Sequence, residues 1–288
     1  MILITGAAGQ TGIKIIKKLL EKKCIVRGLA FNQQGSDLLN KIGAQEVIVG
    51  DMRDSGAMEK ATKGIKTVYH ICPVASPDEV LIGKTAIEAA NKSGVKEFIF
   101  HSALHAQIEK MPHHWRKMRV EEMLFESDLQ YAIIRPTMLM QNVLIFWNSI
   151  MKKNVYPMTY SKHIRFNMVD LDDVAEVAAK VITEGDHFGA TYELCGTEIL
   201  TSAQMVQIMS DKMGRDIRYQ VLSIDEWESF ARSALNDAQI ETLKKMFEYY
   251  NQHGIWGNSK ILEWLLGRKP TTFAQFIERT LKEEKSGV

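Results

Sequence analysis

Met1-Ile2-Leu3-Ile4-Thr5-Gly6-Ala7-Ala8-Gly9-Gln10-Thr11-Gly12 opens the chain: a short apolar run, then three glycines at intervals of three. In this reading a helix follows over 13–21. Glycine at 6 permits a tight turn, Gly9 lets the backbone approach a phosphate, and Gly12 lets the helix lie close to the strand. A strand, a glycine turn and a helix in that order gather free N–H groups and the positive end of the helix dipole at one point. That is a binding place for a pyrophosphate. The reading assigns a dinucleotide cradle to Gly6, Ala8, Gly9, Gln10, Thr11 and Gly12.

Outward from this turn, β-rich runs alternate with helical stretches, as a parallel sheet requires. Strands are expected at 24–30, 46–49, 67–72, 97–101 and 131–135, and helices at about 78–93 and through 114–126. After Pro136 the pattern changes. Met138, Leu139, Met140 and Val143 to Trp147 form an apolar helix start, 164–169 alternates like a strand, and 172–183 is an alanine-rich helix. The last strand of the sheet is expected at 192–195, and from Thr201 onward the chain reads as mainly helical. The expected fold is α/β, a Rossmann-type doubly wound parallel sheet with a smaller, mainly helical second lobe. Residues 1–136 and 164–196 make the nucleotide-binding domain. Residues 137–163 and 197–288 make a substrate or partner lobe over the carboxyl ends of the strands, where such sheets place ligands.

Composition narrows the function classes. The 288 residues are 45% hydrophobic and 25% charged, a globular balance, and 36 basic residues nearly cancel 35 acidic ones. Nothing in that balance points to direct contact with nucleic acid or an anionic membrane. Cys24, Cys72 and Cys195 are far apart, which suits free thiols and no metal site. The first strand begins at Met1, leaving no room for a leader, and no apolar run reaches the roughly 18 residues of a membrane span. A cytoplasmic protein is expected, as monomer or homodimer.

The cradle is followed by Gly50-Asp51, Lys117-Met118-Arg119-Val120-Glu121, Ile134-Arg135-Pro136 and Gln141-Asn142. Then come Val169-Asp170-Leu171-Asp172-Asp173-Val174-Ala175 and Leu266-Gly267-Arg268-Lys269-Pro270-Thr271-Thr272-Phe273. In this order they resemble the NmrA-like family, an atypical branch of the short-chain dehydrogenase/reductase superfamily. The resemblance implies either an NAD(P)H-dependent reductase of quinones, dyes or phenylpropanoids, or a regulator that senses the nicotinamide pool. Fold alone does not choose between them.

Site residues follow from the same resemblance. Phe31 and Asn32 stand where an NADP-binding member carries arginine, and no NAD-type acid replaces it, so NADP and NAD both remain open. Asp51, with Met52, resembles the acid that meets the adenine amino group. Ile71, Cys72 and Pro73 are expected along the ribose and pyrophosphate, and Ser102 and Pro136 beside the nicotinamide. Lys117 matches the lysine that holds the nicotinamide ribose, but four residues before it stands His113 rather than tyrosine. His113, read as a loop residue beside Pro112, or His114 could donate a proton as imidazolium. Met138, Asn142 and Phe166 are the expected substrate contacts. An alcohol dehydrogenase or sugar-nucleotide epimerase would want the missing tyrosine, whereas quinone reduction can draw protons from water. The expectation leans to an enzyme, an NAD(P)H-dependent oxidoreductase passing hydride to a small apolar acceptor such as a quinone. The alternative is a non-catalytic NAD(P)-sensing regulator that binds a protein partner.

Overall fold

The structure is a computed structural model, and it describes residues 1–285. Its centre is a seven-stranded parallel sheet. The strands are β1 (Ile2–Ile4), β2 (Val26–Ala30), β3 (Glu46–Val49), β4 (Thr67–His70), β5 (Glu97–His101), β6 (Gln130–Pro136) and β7 (Thr191–Leu194). They lie in the order β3-β2-β1-β4-β5-β6-β7, so the chain reverses direction across the sheet beside β1. The connections are α1 (Gln10–Glu21), α2 (Gln33–Lys41), α3 (Ser55–Thr62), α4 (Glu79–Lys92), α5 (Pro112–Phe125) and α6 (Leu171–Glu184). Helical crossovers cover the faces of such a sheet, which is why its strands are short and apolar on both sides.

Side-chain alternation assigns the faces. Leu3, Leu29, Val68, Phe98 and Phe100 share one cluster with Met58 and Ala61 of α3, Ala86 and Ala90 of α4, and Val120 and Leu124 of α5. Ile15, Ile16 and Leu19 of α1 and Leu39 of α2 are buried outside that cluster, against the other face. Every βα turn therefore opens at the same edge, the carboxyl ends of the strands.

Two compact units are present: Met1–Arg135 with Val174–Tyr192, and Pro136–Asp173 with Glu193–Val288. Relative to the expected division, Pro136 and residues 164–173 and 193–196 fall in the second unit. The second unit is mainly helical and includes Ser202–Met213, Ile224–Ala231, Asp237–His253, Lys260–Leu266 and Phe273–Lys285. Capping boxes at Thr201/Gln204, Ser223/Glu226 and Asn236/Gln239 start three of these helices. The expected strand at 164–169 shrinks to Arg165–Phe166, paired antiparallel with Leu200–Thr201. Its continuation is turned to side-chain duty instead: Asn167 donates to the Gly196 carbonyl and accepts from the Gly257 N–H. The apolar run after Pro136 begins as a tight 3-10 stretch, Met140–Phe146, before the helix Trp147–Lys153. Among the described residues, no helix is long and apolar enough to cross a membrane.

Candidate functional site

The glycine turn sits at the carboxyl end of β1. Gly6 has φ +57°, and a Cβ there would lie 2.7 Å from the Ile71 carbonyl oxygen. A Cβ on Gly12 would lie 2.6 Å from the carbonyl oxygens of both Gly6 and Ala7. Neither position admits a side chain, Gly6 because Ile71 after β4 closes on it and Gly12 because the turn folds back onto the helix start. Gly9 is different: its φ is −78°, and a Cβ would stand 3.2 Å from the Gly6 oxygen. It is the N-cap of α1, which starts at Gln10 rather than at 13, so Gly12 lies inside the first turn. No side chain caps this helix, and no acidic residue stands in its first turn. The first-turn N–H groups and the dipole of α1 thus face whatever occupies the turn. Thr5, fully buried, ties β1 to β4: its hydroxyl lies 2.9 Å from His70 Nδ1 and accepts from the Ile71 N–H at 2.9 Å.

The neighbouring strand ends supply side chains at the same edge. Phe31 follows β2 and is 70% exposed, an apolar side chain at the rim. Asn32 is committed to structure, capping α2 by accepting from the Gly35 N–H at 2.9 Å. Asp51 follows β3, but Arg53 grips it through Nη2 at 2.6 Å and Nε at 3.1 Å. Arg53 reaches on to Asp78 at 3.2 Å, and its guanidinium holds the Asp51 carboxyl below the usual carboxylate range. Arg53 was not anticipated, because a residue two places past the expected adenine-binding acid carries no motif of its own. After β4, Cys72 is buried, and desolvation followed by the charge of Glu79 pushes its thiol well up. It is no nucleophile at neutral pH.

Lys117 lies on α5, about one turn beyond the two histidines. Its ammonium donates to Glu79 Oε1 at 2.9 Å and to the His101 carbonyl at 3.3 Å, and stands 5.3 Å from the centre of the Phe100 ring. Glu79, the first residue of α4, is 1% exposed. Only a cation makes such burial tolerable for a carboxylate.

The expectation about the histidines is corrected. His113 is not a solvated loop residue. Pro112 occupies the first turn of α5, the position where a missing N–H costs nothing, and His113 follows inside the helix at 9% exposure. Burial first, then His114, Lys117 and Arg116, hold its pKa well below 6.5, and burial draws His114 down to about 4. Burial thus favours the neutral imidazole on both side chains, against the expected imidazolium donor. Ser102 is also engaged: its hydroxyl donates to Glu121 Oε1 at 2.5 Å, and Arg135 closes on the same carboxylate. At 3% exposure it is a strut between β5 and α5.

In the second unit, Pro136 is buried, Met138 is half-buried and Asn142 is exposed. Phe166, expected to touch substrate, is 2% exposed and packed against Tyr160 at 4.9 Å and Tyr250 at 6.2 Å between ring centres. It is core, because the two-residue strand that carries it faces the helix Asp237–His253. The later family-like motifs are structural as well. Gln141 donates to Asp170, while Arg268 and Thr271 are gathered by Asp173.

The model of the NmrA-like family matches residues 1–284. The chain is 27% identical over 286 residues to quinone oxidoreductase 2 of Escherichia coli (strain K12), covering 96% of this chain and 97% of that one. It is 24% identical over 280 residues to the NAD(P)H azoreductase of Xenophilus azovorans, with 96% and 97% covered. Its structure matches that of the NADPH-dependent quinone oxidoreductase of Escherichia coli complexed with NADPH. The TM-score is 0.84 at 25% identity, with 98% of this chain and 100% of that one covered.

Proposed function

Because the chain belongs to the NmrA-like family, we propose that it is an NAD(P)H-dependent oxidoreductase passing hydride to a small apolar acceptor such as a quinone. The turn at Gly9 carries this reading: a helix with an uncapped start, held on a backbone whose flanking glycines leave no room for side chains. The first-turn N–H groups of α1 would hold the pyrophosphate of NADP or NAD. Phe31 offers its exposed ring to the adenine, the backbone of Ile71, Cys72 and Pro73 runs along the dinucleotide, and Lys117 serves the nicotinamide ribose. When bound, the reduced nucleotide supplies the hydride.

The residues around Lys117 bias the acceptor. Burial favours the neutral imidazole at His113 and His114, and Ser102 donates to Glu121, so the protein brings no strong acid to the reaction. A ketone needs a proton as its alkoxide forms, whereas a quinone accepts hydride to give a stabilised phenolate that water can protonate. The names of two relatives, a quinone oxidoreductase and an azoreductase, support the same class of acceptor.

The test is oxidation of NADPH and NADH, followed by absorbance, with a panel of small quinones. Turnover is expected. The affinities for the two nucleotides should differ by less than about a hundredfold, since no charge at position 31 supplies the roughly 3 kcal/mol needed for more. Tight binding with no turnover on any quinone would replace the reductase with an NAD(P)-sensing regulator.

A further inference from the structure

Glu79 and Lys117 are 38 residues apart and meet only because α4 and α5 pack side by side over the sheet. A lysine ammonium has three N–H groups on a flexible stem. Here one donates to Glu79, one to the His101 carbonyl, and the Phe100 ring lies under the charge. The third N–H meets no acceptor among the described residues. The side chain is 13% exposed, so its position is set before any ligand arrives. Of the three groups that fix it, Glu79 alone carries charge, and at 1% exposure it lies beneath the sheet's edge beside the buried Cys72 thiol.

We propose that Glu79 is a positioning residue: it pre-orders Lys117 so that the remaining N–H is presented to a hydroxyl of the nucleotide's nicotinamide ribose. This rests on the nucleotide-binding reading above. Glu79 touches no ligand and acts through Lys117. Its contribution is the ordering of a long side chain that a ligand would otherwise have to accomplish on binding.

The experiment compares a whole dinucleotide with its adenine half. Calorimetry is run with NADPH and with ADP on wild type, Glu79→Gln, Glu79→Asp, Lys117→Met and the double variant Glu79→Gln/Lys117→Met. Glu79→Gln should weaken NADPH about tenfold and leave ADP within about twofold, since ADP reaches the glycine turn without the second ribose. Glu79→Asp, which keeps a carboxylate, should recover part of the loss. The double variant should bind NADPH no more weakly than Lys117→Met alone, the signature of one residue acting through another. Wild-type affinity in Glu79→Gln overturns the proposal. So does an equal loss for ADP and NADPH, or a double variant weaker than Lys117→Met. If Glu79→Gln does not fold, Glu79→Asp carries the same comparison of the two ligands. A wild type that binds neither ligand would instead overturn the nucleotide reading itself.

Discussion

In the first unit, Glu79 meets one cation, and that cation keeps an N–H for something else. In the second unit, Asp173, equally buried at 1%, accepts from Arg268 Nη2 at 2.8 Å, the Thr271 N–H at 2.7 Å and the Thr271 hydroxyl at 3.1 Å. Both are single carboxylates at the start of a helix, yet they do different work. Asp173 is saturated by residues from a loop nearly a hundred positions away and serves as a staple. Glu79 and Lys117 form a pair left open on one side, at the strand edge where the glycine turn also opens. A buried charge whose partners are all used holds structure together, while one whose partner retains a donor points to a ligand.

The widest contrast between the units is in their histidines. His70, His101, His113 and His114 are buried in the first unit, and among the described residues the second unit buries none. Burial and the Lys117 charge bring His70 and His101 down to about 3. These groups are neutral when folded, but in the unfolded chain they take up protons below the ordinary value of 6.5. Stability is therefore full above about pH 6.5 and falls as pH drops toward 4, at up to about 1.4 kcal/mol per histidine for each pH unit. Unfolding free energies from urea titrations at pH 7 and pH 5 should differ by several kcal/mol, with hydrogen exchange rising first in the first unit. Equal values would mean that these imidazoles are charged in the folded protein.

Next in size is the staple. Asp173→Ala removes the acceptor of the Thr271 N–H and hydroxyl and one of the partners of the half-exposed Arg268, and should cost about 3 kcal/mol of stability. Nucleotide affinity of the folded variant should stay as in wild type. A loss of affinity would erase the distinction drawn between the two carboxylates. Gly9→Val should do the reverse. Its φ suits an ordinary residue, and the 3.2 Å approach of its Cβ to the Gly6 oxygen asks only a few tenths of an ångström of backbone shift, so the fold survives, while the branched side chain intrudes on the phosphate place. Affinity should drop about a hundredfold, on the order of 3 kcal/mol. Gly6→Ala, at a positive φ and against Ile71, should by contrast destabilise the fold. The smallest of these effects is Phe31→Ala, expected to cost about 1 kcal/mol of stacking, several-fold in affinity, with unfolding unchanged.

What the sequence made legible followed from local constraint. Only glycine fits at 6 and 12, so the turn announced itself, and the alternation of apolar runs fixed the sheet. The strand at 97–101 came out residue for residue, because Glu97 and the turn after His101 bound it sharply. The site's polar network was not legible. Glu79 opens an apolar helix and reads as a first-turn acid favoured by the dipole. Its partner is known only once α5 lies beside α4. Glu121 sat within a recognised motif, but its role as acceptor for Ser102 and Arg135 depends on three separate elements. His113 was misread for a local reason that the sequence did contain: Pro112 is favoured at the first position of a helix, and a helix had already been expected to begin at 114.

Arg53 adds one consequence for ionic strength. Asp51 lies in the fork of a half-exposed guanidinium, so a ligand that takes this carboxylate must first part the two. Dissolved salt weakens that exposed pair and thereby lowers the cost of releasing Asp51. The same salt weakens the attraction between nucleotide phosphates and the start of α1. The two responses run in opposite directions at one edge of the sheet. Nucleotide affinity should therefore change little between low and high salt in wild type, and should fall steadily with salt once Arg53→Ala has removed the competing partner.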